Sequence, residues 1–317
     1  MNKERIIWID RMKVIGMYFI IAGHLFPIGY TYVYTFSVPL FFLISGFLYK
    51  QETSHLIFWK KIFFNYILPV FYIRTLMYFW ERLIYTESDH FMSLFEYWLY
   101  MLKGYQNCIG ACWFIYTLIL IRILFQYFPY SKARITLFIL FTCIAIYLNS
   151  HNIHKNNAIL DLNVAYQPYA IGYYLNKYKY QLNTYQPSSP TIILALIISL
   201  SLLILCGTVN GNVWLYNNNY GISFILYIIG MFDGTVIVYY LSKLNWGGTN
   251  IFITLSIGNI VTLGFHQIYI NLTRLYLPPQ PYLSYIIALI ILLSFYPTIR
   301  FCLSFCPFII GNYHPSK

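Results

Sequence analysis

Lys13 and His24 stand eleven positions apart in an apolar stretch. At about 100° per residue, eleven steps close three helical turns with roughly 20° over, so both side chains share one helix face, about 16 Å apart along the axis. A cation at the membrane surface and an imidazole deeper on the same face suit an anionic cofactor whose tail reaches a general base. The spacing equally fits a basic flank that sets topology and a histidine bonded to a neighbouring helix. His266 lies in a later apolar run at a similar depth, the two differing by a few Å at about 1.5 Å per residue. Two histidines at one depth could line one cavity; taken alone, His266 reads as a polar packing residue.

Arg74, Arg122 and Asp233 also fall inside apolar runs. Charge in hydrocarbon is costly and demands a partner, water or a ligand. An Arg–Asp pair is one solution, and anion binding by Arg74 or Arg122 is the other. Ser45 has no candidate base nearby in sequence, so an acyl-serine intermediate is not expected. Cys108 and Cys112 are separated by three residues with no histidine close by, and no metal site is expected there. Cys143, Cys206, Cys302 and Cys306 sit in apolar runs and read as small packing residues.

These groups must be held by membrane helices. Of 317 residues, 59% are hydrophobic and 9% charged, whereas a soluble chain carries roughly a quarter charged residues. Lipid must therefore cover most of the surface. No polar stretch is long enough for a second domain, so residues 1–317 read as a single membrane domain without a separate soluble one. The net charge of +11 comes from Lys and Arg at the ends of apolar runs, which points to topology and a membrane-lipid partner, not nucleic acid.

A spanning helix needs about 20 apolar residues. Candidate spans are 12–29, 33–49, 62–80, 112–129, 134–150, 164–176, 191–207, 221–241, 251–271 and 282–303, the sixth being short. Residues 91–102 suit an interfacial or re-entrant helix. The first run follows Asp10, Arg11 and Lys13 without a small-residue cleavage site, so it is expected to remain as the first helix. With the N-terminus in the cytoplasm, Lys3, Arg5, Lys50, Lys60, Lys61, Lys132, Arg134, Lys177, Lys179, Lys243 and Lys317 gather on that side. The opposite side receives Lys155 and Asp161, the Asn-rich stretch 208–219 and the Pro-rich stretch 278–281. The expected fold is an all-α polytopic transmembrane bundle of about ten spanning helices, N-in and C-in.

Several segments, in order, resemble the acyltransferase 3 family of integral membrane acyltransferases. The opening Trp8-Ile9-Asp10-Arg11-Met12-Lys13, running on to Ala22-Gly23-His24, resembles the family's first helix, where a basic residue precedes the key histidine by eleven positions. Val38-Pro39-Leu40-Phe41-Phe42-Leu43-Ile44-Ser45-Gly46-Phe47-Leu48 resembles its second-helix signature. Lys60-Lys61 ahead of Leu68-Pro69, Trp113-Phe114, Tyr166 to Tyr174, and Ser256 to His266 resemble later segments. Two departures stand out. The family's first-helix cation is often Arg, and Lys13 lacks the planar fork for bidentate phosphate contacts. Asn65 stands where the family commonly has more charge.

The resemblance implies an O-acyltransferase that takes acyl-CoA, acetyl-CoA being the commoner donor, and acylates a cell-surface or lipid-linked carbohydrate in a bacterial plasma membrane. It implies that Lys13, Lys60 and Lys61 hold the donor phosphates and that His24 activates a sugar hydroxyl or carries the acyl group itself. Arg74 or His266 would steady the oxyanion, with no metal involved. The rival reading is a flippase or exporter for a lipid-linked saccharide, since buried charges fit transport as well. Against it, no Gly- or Pro-interrupted helices recur in corresponding halves.

Overall fold

The computed structural model describes residues 5–84, 92–153, 155, 157–277 and 281–311. Lys3, Lys317, residue 91 and most of the stretch 278–281 lie outside them. The chain is all-helical: α1 Ile7–His24, α2 Tyr30–Phe47, α3 His55–Ile84, α4 Leu94–Leu102, α5 Gln106–Tyr127 and α6 Ser131–Ser150 precede α7 Leu162–Leu175, α8 Ser189–Asn210, α9 Phe224–Lys243, α10 Thr249–Ile257, α11 Asn259–Tyr276 and α12 Ser284–Phe305. Among the described residues, strand pairing is limited to two isolated bridges, Tyr105–Asn157 and Trp214–Asn219.

Each of the ten expected spans falls on one of these helices or, for 251–271, on the α10–α11 pair. Length and apolarity qualify seven helices to cross a membrane, or eight if α10 and α11, bent by 82°, count as one span. The count of ten is not reached, and the reason is local. α1 carries Asp10, Arg11 and Lys13, and α7 has only 14 residues. α4 covers nine residues, about 14 Å, and is too short to cross. Its start is fixed by a capping box in which Ser93 and Glu96 satisfy each other's backbone N–H groups.

The charge on α1 is compensated where it enters the bundle. Arg5 pairs with Asp10 at 2.6 Å, and the Ser256 hydroxyl on α10 donates to Asp10 Oδ1 at 2.6 Å. Arg11 donates to the Leu244 carbonyl at 2.8 Å, just past the end of α9. Trp8 packs edge-on against Phe47 at the end of α2 and Tyr239 near the end of α9. α1 therefore runs antiparallel to both α2 and α9. Arg134 is not a free loop cation. It is buried in the first turn of α6, donates to the carbonyls of Phe125 and Phe128, and stacks against Phe125 and Tyr173.

α2 is the central helix. It continues through Pro39 and buries most of its surface. Gly46 lets it touch α7, since a Cβ there would collide with the Tyr169 carbonyl, and Gly172 makes the reciprocal approach to the Leu43 carbonyl. Those obstacles are backbone atoms and cannot swing away. Gly46→Val should therefore cost roughly 3 kcal/mol or more, beyond ordinary overpacking. It should show as a lower unfolding temperature in detergent, and an unchanged one would refute the close crossing.

Candidate active site

α1 ends at His24, five residues earlier than the span expected from hydropathy. Phe26 adopts a left-handed backbone (φ 50°), Pro27 comes next, and Gly29 (φ 79°) turns the chain into α2. A residue before proline is disfavoured in helical geometry, and a left-handed residue stops the helix. His24 thus sits at the far end of α1, not in mid-span, while Lys13 lies in its second turn.

Both side chains line a single cavity of about 620 Å3. At the Lys13 end its wall includes Ser45, Asn65, Ser256 and Gly311; toward the other end it includes His24, Arg74, Glu81, Gln106 and Tyr216. The shared face anticipated from the spacing of eleven is therefore real. Lys13 is half-buried and has no hydrogen bond or ion pair among the described residues.

His24 and His266 meet, with ring centroids 5.2 Å apart. His266 is fully buried on α11 and stands behind His24. Its Nδ1 lies 2.8 Å from the Leu263 carbonyl and 3.2 Å from the Thr262 carbonyl. A carbonyl only accepts, so Nδ1 carries the proton and Nε2 presents a lone pair. That Nε2 is buried and finds no donor among the described residues. On the other side, the Tyr34 hydroxyl lies 3.4 Å from His24 Nδ1. Arg274 donates to the His24 carbonyl at 2.7 Å, tying the end of α11 to the end of α1.

Arg74 also lines the cavity, but its carboxylate partner is Glu81 at 3.6 Å on the same helix, not an aspartate. Seven residues make about two turns, which brings the two side chains to one face, a signal present in the sequence. Arg74 further donates to the Cys108 carbonyl at 2.9 Å and to the Tyr97 hydroxyl at 2.5 Å. Gly110 leaves room for this guanidinium, which a Cβ there would crowd. Arg122 makes no ion pair among the described residues. It rests between the rings of Tyr49 and Tyr66 at 5.4 and 5.5 Å, an attraction that suits a desolvated guanidinium. Asp233 is half-buried on α9 and likewise has no ion pair among the described residues.

Lys60 and Lys61 do not reach the cavity. Lys60 is exposed, and Lys61 pairs with Glu52 at 2.6 Å. Just beyond them, Phe63–Ile67 form a π-helical segment within α3. Its wider turn rotates the side chains it carries, and Asn65 and Tyr66 line the cavity in place of the lysines. Asn65 stood out in the sequence only as a missing charge, and reading by charge passed over Tyr66, as it did Tyr34, Gln106, Asn107 and Tyr216. Tyr34 was findable, because a short turn between antiparallel helices places the start of α2 beside His24. Cys108 and Cys112 are free and buried in the packing around Arg74. Among the described residues, no three His, Cys, Asp or Glu side chains group as a metal site.

A polytopic helical membrane protein with a cation and an imidazole on one cavity, the imidazole backed by a second, is the class these features define. The family model for the acyltransferase domain of acyltransferase 3 proteins matches residues 6–305, and the chain belongs to that family. The family and the apolar helices make it a multi-pass membrane acyltransferase. No curated protein and no solved structure matches the chain.

Proposed function

We propose that this protein moves an acyl group, acetyl in the first instance, from acyl-CoA to a hydroxyl of a cell-surface or lipid-linked saccharide at a bacterial plasma membrane. The observation that carries this reading is the cavity that joins Lys13 at one end to the His24–His266 pair toward the other. The Lys13 end opens to the cytoplasm and receives the donor's phosphates. The thioester lies along the cavity with its carbonyl beside His24. The acceptor hydroxyl enters from the opposite end, gives its proton to His24 and attacks the carbonyl, expelling the CoA thiolate. Arg74, already on the cavity wall, steadies the oxyanion.

In this reading His266 is a positioning residue. Its ring, anchored by Nδ1 on the Leu263 and Thr262 carbonyls, packs against the His24 ring and holds it in place. The His24 nitrogen on the Tyr34 side acts as the base, with the Tyr34 hydroxyl beside it at 3.4 Å. His266→Ala, which removes the ring packed against His24, should lower kcat about tenfold through loss of positioning, with the KM for acyl-CoA unchanged. A rise in KM at constant kcat would remove His266 from that role.

The function itself is tested with the full chain in vesicles, radiolabelled acetyl-CoA, and extracted polysaccharide with its lipid-linked precursors. Label in carbohydrate supports acyl transfer. Its absence with folded protein and a wide acyl-CoA panel would shift the reading to export of a lipid-linked saccharide.

A further inference from the structure

Past His24 the cavity reaches a cluster of rings. Phe26 comes from the turn after α1, Tyr30 and Tyr34 from the first turns of α2, and Trp214 and Tyr216 from the loop between α8 and α9. The Trp214 ring lies 5.0 Å from Tyr34, 6.3 Å from Phe26 and 6.4 Å from Tyr30. Tyr34 is the residue whose hydroxyl faces His24, and Tyr216 lines the cavity itself. The rings are thus continuous with the candidate catalytic imidazole.

This loop is a built element. Trp214 and Asn219 pair across a tight reversal, with buried Asn218 in the left-handed region (φ 60°). Asparagines lock the surrounding backbone. Asn210 donates to the Tyr220 carbonyl at 2.7 Å and accepts from the Ser223 N–H at 2.7 Å. Asn149, at the end of α6, bonds both Tyr220 and Gly221, and Asn218 donates to the Lys155 carbonyl. On the facing side, Phe26 holds a backbone conformation that a bulky residue enters only at a cost. The Arg274 guanidinium covers its ring at 5.5 Å while bonding the His24 carbonyl. Two independent devices therefore fix aromatic rings at one end of the cavity.

Interfacial Trp and Tyr that anchor a protein in lipid point outward at headgroup level. Here Trp214 packs against Phe26, Tyr30 and Tyr34, Tyr216 lines the cavity, and the tyrosines and Trp214 carry polar tips. We propose that this cluster is the acceptor's carbohydrate subsite, with a pyranose ring stacked on Trp214 and its hydroxyl directed past Tyr34 to His24. A pyranose offers polarised C–H bonds on one face, which meet the negative face of an aromatic ring. It also carries a girdle of hydroxyls for the tyrosine and indole tips. A hydrocarbon tail would have no use for those tips. The donor's phosphates would find here only Arg274, which is already turned onto a backbone carbonyl. The use of this subsite in acyl transfer rests on the function proposed above; the binding itself does not.

The test uses the full chain in nanodiscs and tetrasaccharides of glucose, galactose, mannose and N-acetylglucosamine, with glycerol as a ringless acceptor. Without donor, saturation-transfer NMR should detect a tetrasaccharide on the wild type. Trp214→Ala should weaken that binding about tenfold, the loss of one stacked aromatic contact, and Trp214→Phe should restore most of it. With labelled acetyl-CoA, kcat/KM for the tetrasaccharide should fall about tenfold more in Trp214→Ala than kcat/KM for glycerol. Equal losses for both acceptors, undiminished binding by Trp214→Ala, or no tetrasaccharide bound by the wild type would overturn the subsite. Trp214-dependent binding without any acetyl-CoA turnover would uphold the subsite while removing the acyltransferase reading.

Discussion

Replacing His24 with alanine should cut acyl transfer about a thousandfold, the usual worth of a positioned general base, while the protein stays folded and inserted. The fold is expected to survive because the side chain faces the cavity, where its one hydrogen-bond neighbour among the described residues is Tyr34 at 3.4 Å. Arg274 holds the backbone carbonyl of residue 24, a contact that alanine keeps. Size-exclusion elution and an unfolding temperature matching the wild type would separate lost chemistry from lost structure. The same variant distinguishes the two chemical routes. If His24 carries the acyl group, acid-quenched wild type incubated with labelled acetyl-CoA alone should retain label that His24→Ala lacks. If His24 is only a base, neither protein is labelled, and transfer requires acceptor. Full activity in His24→Ala would sink both routes.

Reversing the charge at the other end, Lys13→Glu, should raise the KM for acetyl-CoA about a hundredfold, the upper range for one charge-assisted contact. Lys13 has no ion-pair partner among the described residues, so its charge is available to a ligand. Lys13→Arg should retain most affinity, because a guanidinium also binds phosphate. The sharper control is the donor itself. Acetyl-pantetheine lacks the nucleotide phosphates, so its KM should be nearly indifferent to Lys13→Glu. Equal damage to both donors would mean that Lys13 supports the fold of α1 and does not hold phosphate. By contrast, Lys60→Ala and Lys61→Ala should change donor KM far less, since neither side chain lines the cavity.

Much of this architecture is legible in the chain alone. Apolar runs of spanning length located the helices, because lipid leaves the backbone no other way to satisfy its hydrogen bonds. Helical periodicity alone placed Lys13 and His24 on one face. Similar distances from the starts of their apolar runs placed His24 and His266 within a few Å of one depth, although the later run bends by 82° between α10 and α11. What misled was hydropathy at helix ends. It does not register the left-handed turn at Phe26 and Pro27 that stops α1 at His24. Charge counting likewise treated Arg134 as a loop cation, and the Arg–Asp pair it offered as one solution for Arg74 is made with Glu81 instead.

The sequence by itself determined the class of protein, the helix positions and the Lys13–His24 face, because these depend on composition and local periodicity. The tertiary structure decided that α1 and α11 meet so that two imidazoles touch. It also decided that a π-helical segment turns Asn65 and Tyr66 inward, and that the distant Trp214 loop closes over Tyr34. Those outcomes depend on which helices pack together and on how closely glycines let them approach, and neither is written in the periodicity of any one segment.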